Sequence, residues 1–380
     1  MDEPTVLLAP DKFKGCLTAA GVAAALAAGM REVAPEVRIR TVPVADGGDG
    51  TVAALVARGW GLLEVPVTGP DGRRVVARVA RRGSRAVVES AATSGLDLLA
   101  GTGLRPLTAG SRGVGEAITA ALEAGAREVV VGVGGTACTD GGAGMLAALG
   151  ARLLDARGRP VPDGGAGLVD LASVDLAPAR ERLAGASLVV ATDVDNPLLG
   201  PSGAAAVYGP QKGATADDVR VLERGLRRWA DLVRGQPLEG PHASTASHDA
   251  PGAGAGGGLG FGLLAGLGGT VRSGIDLVLE LVGFVGDAAR ADLVVTGEGR
   301  LDEQTLRGKA VLGVLRAARD AGAAPVVAVC GVDDLGPEAT ARAGFRRVWS
   351  LASVAASPED AMARAPELLR VVGRELLDVL

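Results

Sequence analysis

Val294-Val-Thr-Gly-Glu-Gly-Arg-Leu-Asp-Glu-Gln-Thr-Leu-Arg-Gly-Lys309 joins an apolar run to a charged, glycine-punctuated loop. Leu293 to Val295 reads as a buried strand. It is expected to stop at a turn carrying Glu298, Arg300 and Asp302, with a helical pattern beginning near Lys309. Strand, charged loop, helix is the order in which an α/β protein places chemistry outside the carboxyl end of a parallel sheet. The same order opens the chain. Thr5-Val-Leu-Leu-Ala-Pro-Asp-Lys-Phe-Lys-Gly15 runs from a strand into a loop with Asp11, Lys12 and Lys14, then into an Ala-rich helix. Lys12 and Lys14 are two apart, so in an extended loop they share one side. The two charged loops are expected to converge on one polyanionic substrate.

Working outward, the first section alternates strand 5–9, helix 18–33, strand 37–44 and a short helix 50–57, with Thr18 placed to cap the first helix. The last section alternates strand 292–296, helix 310–321, strand 325–330, helix 337–343, strand 347–351 and helix 358–377. Such alternation predicts a parallel sheet with helices on both faces. Because both ends share it, residues 1–67 and 289–380 are expected to build one domain and residues 68–288 an inserted second one. In the middle of the chain, short alternating runs at 62–67, 74–79 and 86–89 suggest a meander. Val114, Ala117, Ile118, Ala121 and Leu122 recur at helical spacing, as do Val219, Leu222, Leu226, Trp229 and Val233. A cleft between two domains is the usual place for a small ligand, and the active site is expected there.

A chain of 380 residues, 48% hydrophobic and 22% charged, has ample apolar material for two cores. Its 59 glycines exceed the usual share of about 7%, and their apolar neighbours read as turns and close packing. A net charge of -5 and 2% aromatic residues argue against nucleic-acid binding. No apolar run reaches the ~18 residues of a membrane span, and Met-Asp-Glu-Pro does not open like a signal peptide. The three cysteines (Cys16, Cys138, Cys330) are widely spaced and suit a reducing, cytoplasmic setting. The only histidines, His242 and His248, share one small-residue loop, so a general base is expected to be a carboxylate.

Several further loops carry polar groups at strand ends. Asp46-Gly-Gly-Asp-Gly-Thr51 and Gly132-Val-Gly-Gly-Thr-Ala-Cys-Thr-Asp-Gly-Gly-Ala-Gly144 each join a strand to a helix, where backbone amides attract phosphate or simply pack tightly. Asp193-Val-Asp-Asn-Pro-Leu198 follows an apolar strand, and its carboxylates suit a base, a Mg²⁺ ligand or a turn. Gly209-Pro-Gln-Lys-Gly213 presents Lys212 in a rigid turn. Gly252-Ala-Gly-Ala-Gly-Gly-Gly-Leu-Gly260 contains a GxGxxG but follows a polar loop rather than a strand, so it is not read as a dinucleotide fingerprint. Lys, Arg, Asp and Gly gathered at strand ends point to phosphoryl transfer, which needs positioning and charge neutralisation above all.

At these loops the chain resembles the bacterial glycerate kinase family of the two-domain type, unrelated to P-loop kinases. The matching segments are Ala9-Pro-Asp-Lys-Phe-Lys-Gly15, Ala45-Asp-Gly-Gly-Asp-Gly-Thr51, Val67-Thr-Gly-Pro70, Glu89-Ser-Ala-Ala-Thr-Ser-Gly-Leu96 and Gly134-Gly-Thr-Ala-Cys-Thr-Asp-Gly-Gly-Ala-Gly144. Further along they are Ala191-Thr-Asp-Val-Asp-Asn-Pro-Leu198, Gly209-Pro-Gln-Lys-Gly-Ala214, Pro251 to Gly260, and Thr296-Gly-Glu-Gly-Arg300 with Asp302, Gln304, Thr305 and Lys309. Cys16, Asp49 and Cys138-Thr139 depart from the residues usual at those places.

The resemblance implies ATP-dependent phosphorylation of D-glycerate with Mg²⁺, giving a phosphoglycerate, with the 2-phosphate expected. It also implies a flavodoxin-like domain from both termini and a restriction-endonuclease-like insert. Within that reading, and as a hypothesis for this sequence, Asp193, Lys12 and Arg300 are the catalytic candidates, Asp193 orienting or deprotonating the substrate hydroxyl. Lys14, Asp46, Ser94 and Asn196 are expected on the substrate. Gly134, Gly135, Asp140, Lys212, Gly254, Gly256 and Lys309 are expected on ATP. Glu298 and Asp302 are expected on the metal, with Asp46 a further candidate. A kinase of another small hydroxy acid and a non-catalytic sugar-acid sensor stay open as alternatives, and so does a homodimer.

Overall fold

The computed structural model describes residues 3–236, 242, 244–303, 305–307, 310–322 and 325–380. In chain order its strands are β1 (Thr5–Pro10), β2 (Arg38–Thr41), β3 (Gly61–Thr68), β4 (Arg74–Arg82), β5 (Arg85–Glu89), β6 (Glu128–Gly132), β7 (Arg152–Asp155), β8 (Leu171–Asp175), β9 (Ser187–Ala191), β10 (Thr270–Arg272), β11 (Leu293–Leu301), β12 (Val326–Asp333) and β13 (Val348–Ser350). The chain divides into two compact units. Unit 1 comprises Met1–Asp46, Ala53–Gly59 and Ile275–Leu380; unit 2 comprises Gly47–Val52 and Trp60–Gly274. Among the described residues no helix is long and apolar enough to cross a membrane.

Unit 1 holds a parallel sheet in the order β13-β12-β11-β1-β2. This is the doubly wound, flavodoxin-like order, in which the winding reverses between β1 and β11. Val6 lies beside Leu293 and Pro10 beside Gly297. Side chains alternate across the pleat. Val6, Leu8, Leu293 and Val295 enter a core with Leu26, Met30, Leu369 and Val372 from helices Ala19–Val33 and Ala365–Glu375. These two helices approach closely through glycine: a Cβ on Gly29 would lie 1.9 Å from the Arg370 carbonyl oxygen. Thr18 caps the first of them, its side chain accepting from Gly21 N at 3.1 Å.

Three sequence expectations need correction here. β11 does not stop at the glycines; it continues through Glu298 and Arg300 to Leu301, paired with β12 as far as Asp333. Gly297 fits the ladder because the Val329 carbonyl occupies the space its Cβ would need. The strand expected over 37–44 shortens to Arg38–Thr41, although Val42 N and Val44 N still donate to Leu8 O and Pro10 O. β2 is the edge of the sheet, and Pro43 is tolerated there because its missing N–H falls on the side away from β1. The long final helix splits into Pro358–Ala363 and Ala365–Glu375, because Pro366 cannot continue a preceding helix.

Unit 2 holds a mixed sheet, β10-β9-β6-β5-β4-β3, parallel from β10 to β5 and antiparallel across the β3–β4–β5 meander. Val88, Val129 and Val131 pack with Ile118, Met145, Leu222 and Trp229. Helix Ala216–Arg234 begins in a capping box between Thr215 and Asp218 and turns Leu222, Leu226, Trp229 and Val233 inward, as its period predicts.

The Gly29 contact supplies a test. Gly29→Ala is expected to lower stability by about 2 kcal/mol despite the better helix propensity of Ala, because a backbone carbonyl has to move. The urea midpoint measures it, and an unchanged midpoint would show that the helices are not in contact there.

Candidate active site

The carboxyl ends of β1 and β11 bring the two charged loops together in unit 1. Asp11 N donates to Gly297 O at 2.8 Å, one residue beyond the last paired position. By the alternation of the pleat, Asp11 and Glu298 lie on one face of the sheet. Asp11 is half-buried, and its carboxyl is pushed up to about 7 by burial and by the neighbouring charges of Asp46 and Glu298, against the opposing pull of Lys12. Glu298 is only 9% exposed, and its Oε1 accepts from Thr305 Oγ1 at 2.6 Å.

Asp302 sits one turn away. Its Oδ1 accepts from Thr305 N and its own N–H donates to Thr305 Oγ1, each at 3.1 Å, so Asp302 acts on Glu298 through Thr305. Arg300 is exposed and pairs with Asp334 at 3.4 Å. The Lys12–Lys14 stretch is not extended. Phe13 turns inward, and Cys16 N and Leu17 N close back on Phe13 O. Lys12 is half-buried and Lys14 exposed, so the two lysines occupy different settings. Lys309 and Gln304 lie outside the described residues.

In unit 2, the segment after β6 carries Gly134 and Gly135, both exposed. Their carbonyls are tied to the protein: Ser90 Oγ donates to Gly134 O and Leu96 N to Gly135 O, each at 3.1 Å. Among the described residues neither glycine's N–H donates a hydrogen bond. Two such amides in a turn suit an anion. Asp140, by contrast, is fully buried and accepts from Ser111 N, Ser111 Oγ, Gly142 N and Gly144 N. Burial raises its pKa. Its carboxylate holds the loop to the start of helix Ala143–Ala148.

The lysine expected at the surface of a rigid turn is not there. Lys212 is 3% exposed, and its Nζ donates to Cys138 O at 2.5 Å and Thr136 Oγ1 at 3.3 Å. Burial lowers its pKa. The GxGxxG stretch folds into packing as well. Gly256, Gly257 and Gly258 all take left-handed φ values, and a Cβ on Gly254 would lie 2.2 Å from Pro197 O. Burial pushes the Cys138 thiol up to about 12, which removes it as a nucleophile at neutral pH.

Asp193 is exposed at the end of β9, with Oδ1 accepting from Gly274 N at 3.0 Å. Asn196 is occupied at both ends of its amide, by Ser202 O and by Tyr208 OH. Ser94 is fully buried, and its Oγ has no partner among the described residues.

A glycerate kinase family model matches residues 6–380. The glycerate kinase of Bacillus subtilis (strain 168) is 44% identical, the alignment covering 98% of this chain and 96% of that protein. The glycerate 2-kinase of Escherichia coli (strain K12) is 40% identical over 87% of this chain and 86% of its own length. The chain belongs to the glycerate kinase family. A crystal structure from Salmonella typhimurium LT2, assigned as a glycerate kinase 2, has the same fold, with a TM-score of 0.82 at 39% identity over 99% of this chain and 98% of that one.

For a family of kinases, the head of the unit 1 sheet fits a hard divalent cation. Asp11, Asp46 and Glu298 gather there beside Lys12, and burial first, then the charges of Asp46 and Glu298, raise the Asp11 carboxyl. Among the described residues no three His, Cys, Asp or Glu side chains form a ready ligand set. Mg²⁺ needs none, since it takes one or two carboxylates and fills its shell with water and phosphate oxygens. Asp11 and Thr305 stand in the charged loops of the sequence, but the sequence alone assigns them no role. The available signal was position: Asp11 is the first polar residue after an apolar strand, and Thr305 lies three after Asp302.

Because the folded Asp11 carboxyl titrates near 7 and the free one near 3.8, the fold favours its protonated form. Its contribution to stability is full below about pH 4 and is lost as pH rises through about 7. Asp11→Asn, without divalent cations, is therefore expected to melt several degrees above the parent at about pH 8, with the gap closing near pH 4. Equal melting temperatures at both values would show that the carboxylates do not crowd one another.

Proposed function

We propose that this protein transfers the terminal phosphoryl group of ATP to a hydroxyl of D-glycerate, producing 2-phosphoglycerate and ADP. The observation that supports this best is the cluster of Asp11, Lys12, Asp46 and Glu298 at the winding reversal of the unit 1 sheet. Doubly wound sheets bind ligands at that point. A site with carboxylates for a cation and a lysine beside them suits a substrate that is an anion and a donor that carries phosphates.

The substrate oxygen forms a bond to phosphorus as the bond from phosphorus to the bridging oxygen of ATP breaks, and ADP leaves. The hydroxyl proton passes to Asp193, whose carboxylate is oriented by the Gly274 N–H. No strong base is required, because the proton is lost late in a loose transition state. Lys12 and Arg300 supply positive charge to the substrate carboxylate and the moving phosphoryl group, with Lys14 exposed nearby in sequence. Asp11, Asp46 and Glu298 would hold Mg²⁺, which supplies neutralisation of the phosphate charge. Thr305 fixes the rotamer of Glu298. Gly134 and Gly135 offer their amides to the nucleotide phosphates.

ADP release from ATP and D-glycerate, followed by a coupled assay, tests the reading directly. Phosphorus NMR places the phosphate, and longer hydroxy acids in competition define the acceptor. A folded protein that releases no ADP would refute it. Lys12→Ala and Arg300→Ala are expected to lower kcat/KM by roughly 100-fold or more, the scale of a lost charge-stabilising contact. Arg300→Ala is expected to leave stability nearly unchanged, since an exposed ion pair contributes at most about 1 kcal/mol. Near-parent turnover in either variant would remove that residue from the mechanism.

A further inference from the structure

The exposed Gly134–Gly135 turn is a short backbone segment whose shape has to be held from below. Three features of unit 2 converge there. Lys212 Nζ reaches Cys138 O at 2.5 Å and Thr136 Oγ1 at 3.3 Å, so it grips the turn just past its glycines. The lysine is brought there by Pro210–Lys212, a single tight turn that ends in Gly213 at a left-handed φ. Gly257 makes the room. A Cβ on it would lie 2.8 Å from Lys212 Nζ and 2.0 Å from Cys138 O, and its φ of +71° is itself one that L side chains rarely adopt.

Burying an ammonium is costly unless its protons are satisfied. Two of its contacts go to one loop, and both are neutral oxygens. An apolar residue of similar length would fill this space without that cost; what the lysine adds is its hydrogen bonds to the loop, with the Asp140 carboxylate near enough to favour its charge.

We propose that Lys212 is a positioning residue for the nucleotide, holding the Thr136–Cys138 backbone so that the Gly134 and Gly135 amides stay available to phosphate oxygens. This rests on the kinase reading above, and on those amides serving the nucleotide rather than the acid. Lys212 does not touch the phosphates. It acts through the loop, and a change in it moves the nucleotide parameter alone.

The test is steady-state kinetics with ATP and D-glycerate on the full chain. Lys212→Met keeps the stem and removes the nitrogen; it is expected to raise KM for ATP roughly tenfold while KM for glycerate stays within about twofold. Thr136→Val, which removes one acceptor and leaves the lysine in place, is expected to raise the same constant a few-fold. An ATP KM within about twofold of the parent in Lys212→Met overturns the proposal, as does an equal rise in both constants. Should Lys212→Met fail to fold, Thr136→Val decides: an unchanged ATP KM overturns the proposal, and a selective rise supports it. A parent protein that releases no ADP would refute the kinase reading itself, and the two failures are thereby told apart.

Discussion

The parallel pairing of β1 with β11 is the constraint on which the rest depends. It sets Val6 beside Leu293 and Pro10 beside Gly297, and so ties the two ends of a long chain into one sheet. One further hydrogen bond, from Asp11 N to Gly297 O, carries that register into the loops. The strand alternation then leaves Asp11 and Glu298 on the same face, at the point where the winding of the sheet reverses. A slip of one residue would turn one of the two carboxylates into the core face occupied by Val6, Leu8, Leu293 and Val295. The charge cluster is therefore a consequence of the ladder and not of any local motif.

Both units show stability given up at places that handle charge. The raised Asp11 carboxyl records like charges held together in a partly dry site. The lowered pKa of Lys212 records an ammonium buried beneath a loop. Neither is what a core would select for its own sake. Asp140 is the contrasting case: it too is buried, but four donors surround it, and its work is to join the loop after β6 to the helix that follows.

The glycine content has a corresponding division of labour. Gly134 and Gly135 are exposed, and among the described residues their N–H groups donate no hydrogen bond, whereas Gly254 and Gly256 to Gly258 press against the protein's own backbone. The same residue type thus serves an open turn in one loop and close packing in another. The sequence patterns around the two are alike, and the difference lies in what stands opposite each glycine in space.

Much of the fold was legible in the chain because periodicity is local. The apolar run before Thr296, the cap at Thr18, the meander before Glu89 and the inward face of the helix carrying Trp229 all follow from residues a few positions apart. The family resemblance was legible too, through loops spread along the whole chain. What only the tertiary structure decided was the environment of individual polar groups. β11 runs on past its glycines because β12 offers a ladder to pair with. Lys212 is buried because Gly257, far from it in sequence, leaves room for its head. The Asp11 carboxyl is raised because folding buries it and brings Asp46 and Glu298 beside it. Helix and strand periods are set by a residue's near neighbours, but burial and charge coupling depend on atoms brought close by folding, and those distances are written nowhere in the order of the residues.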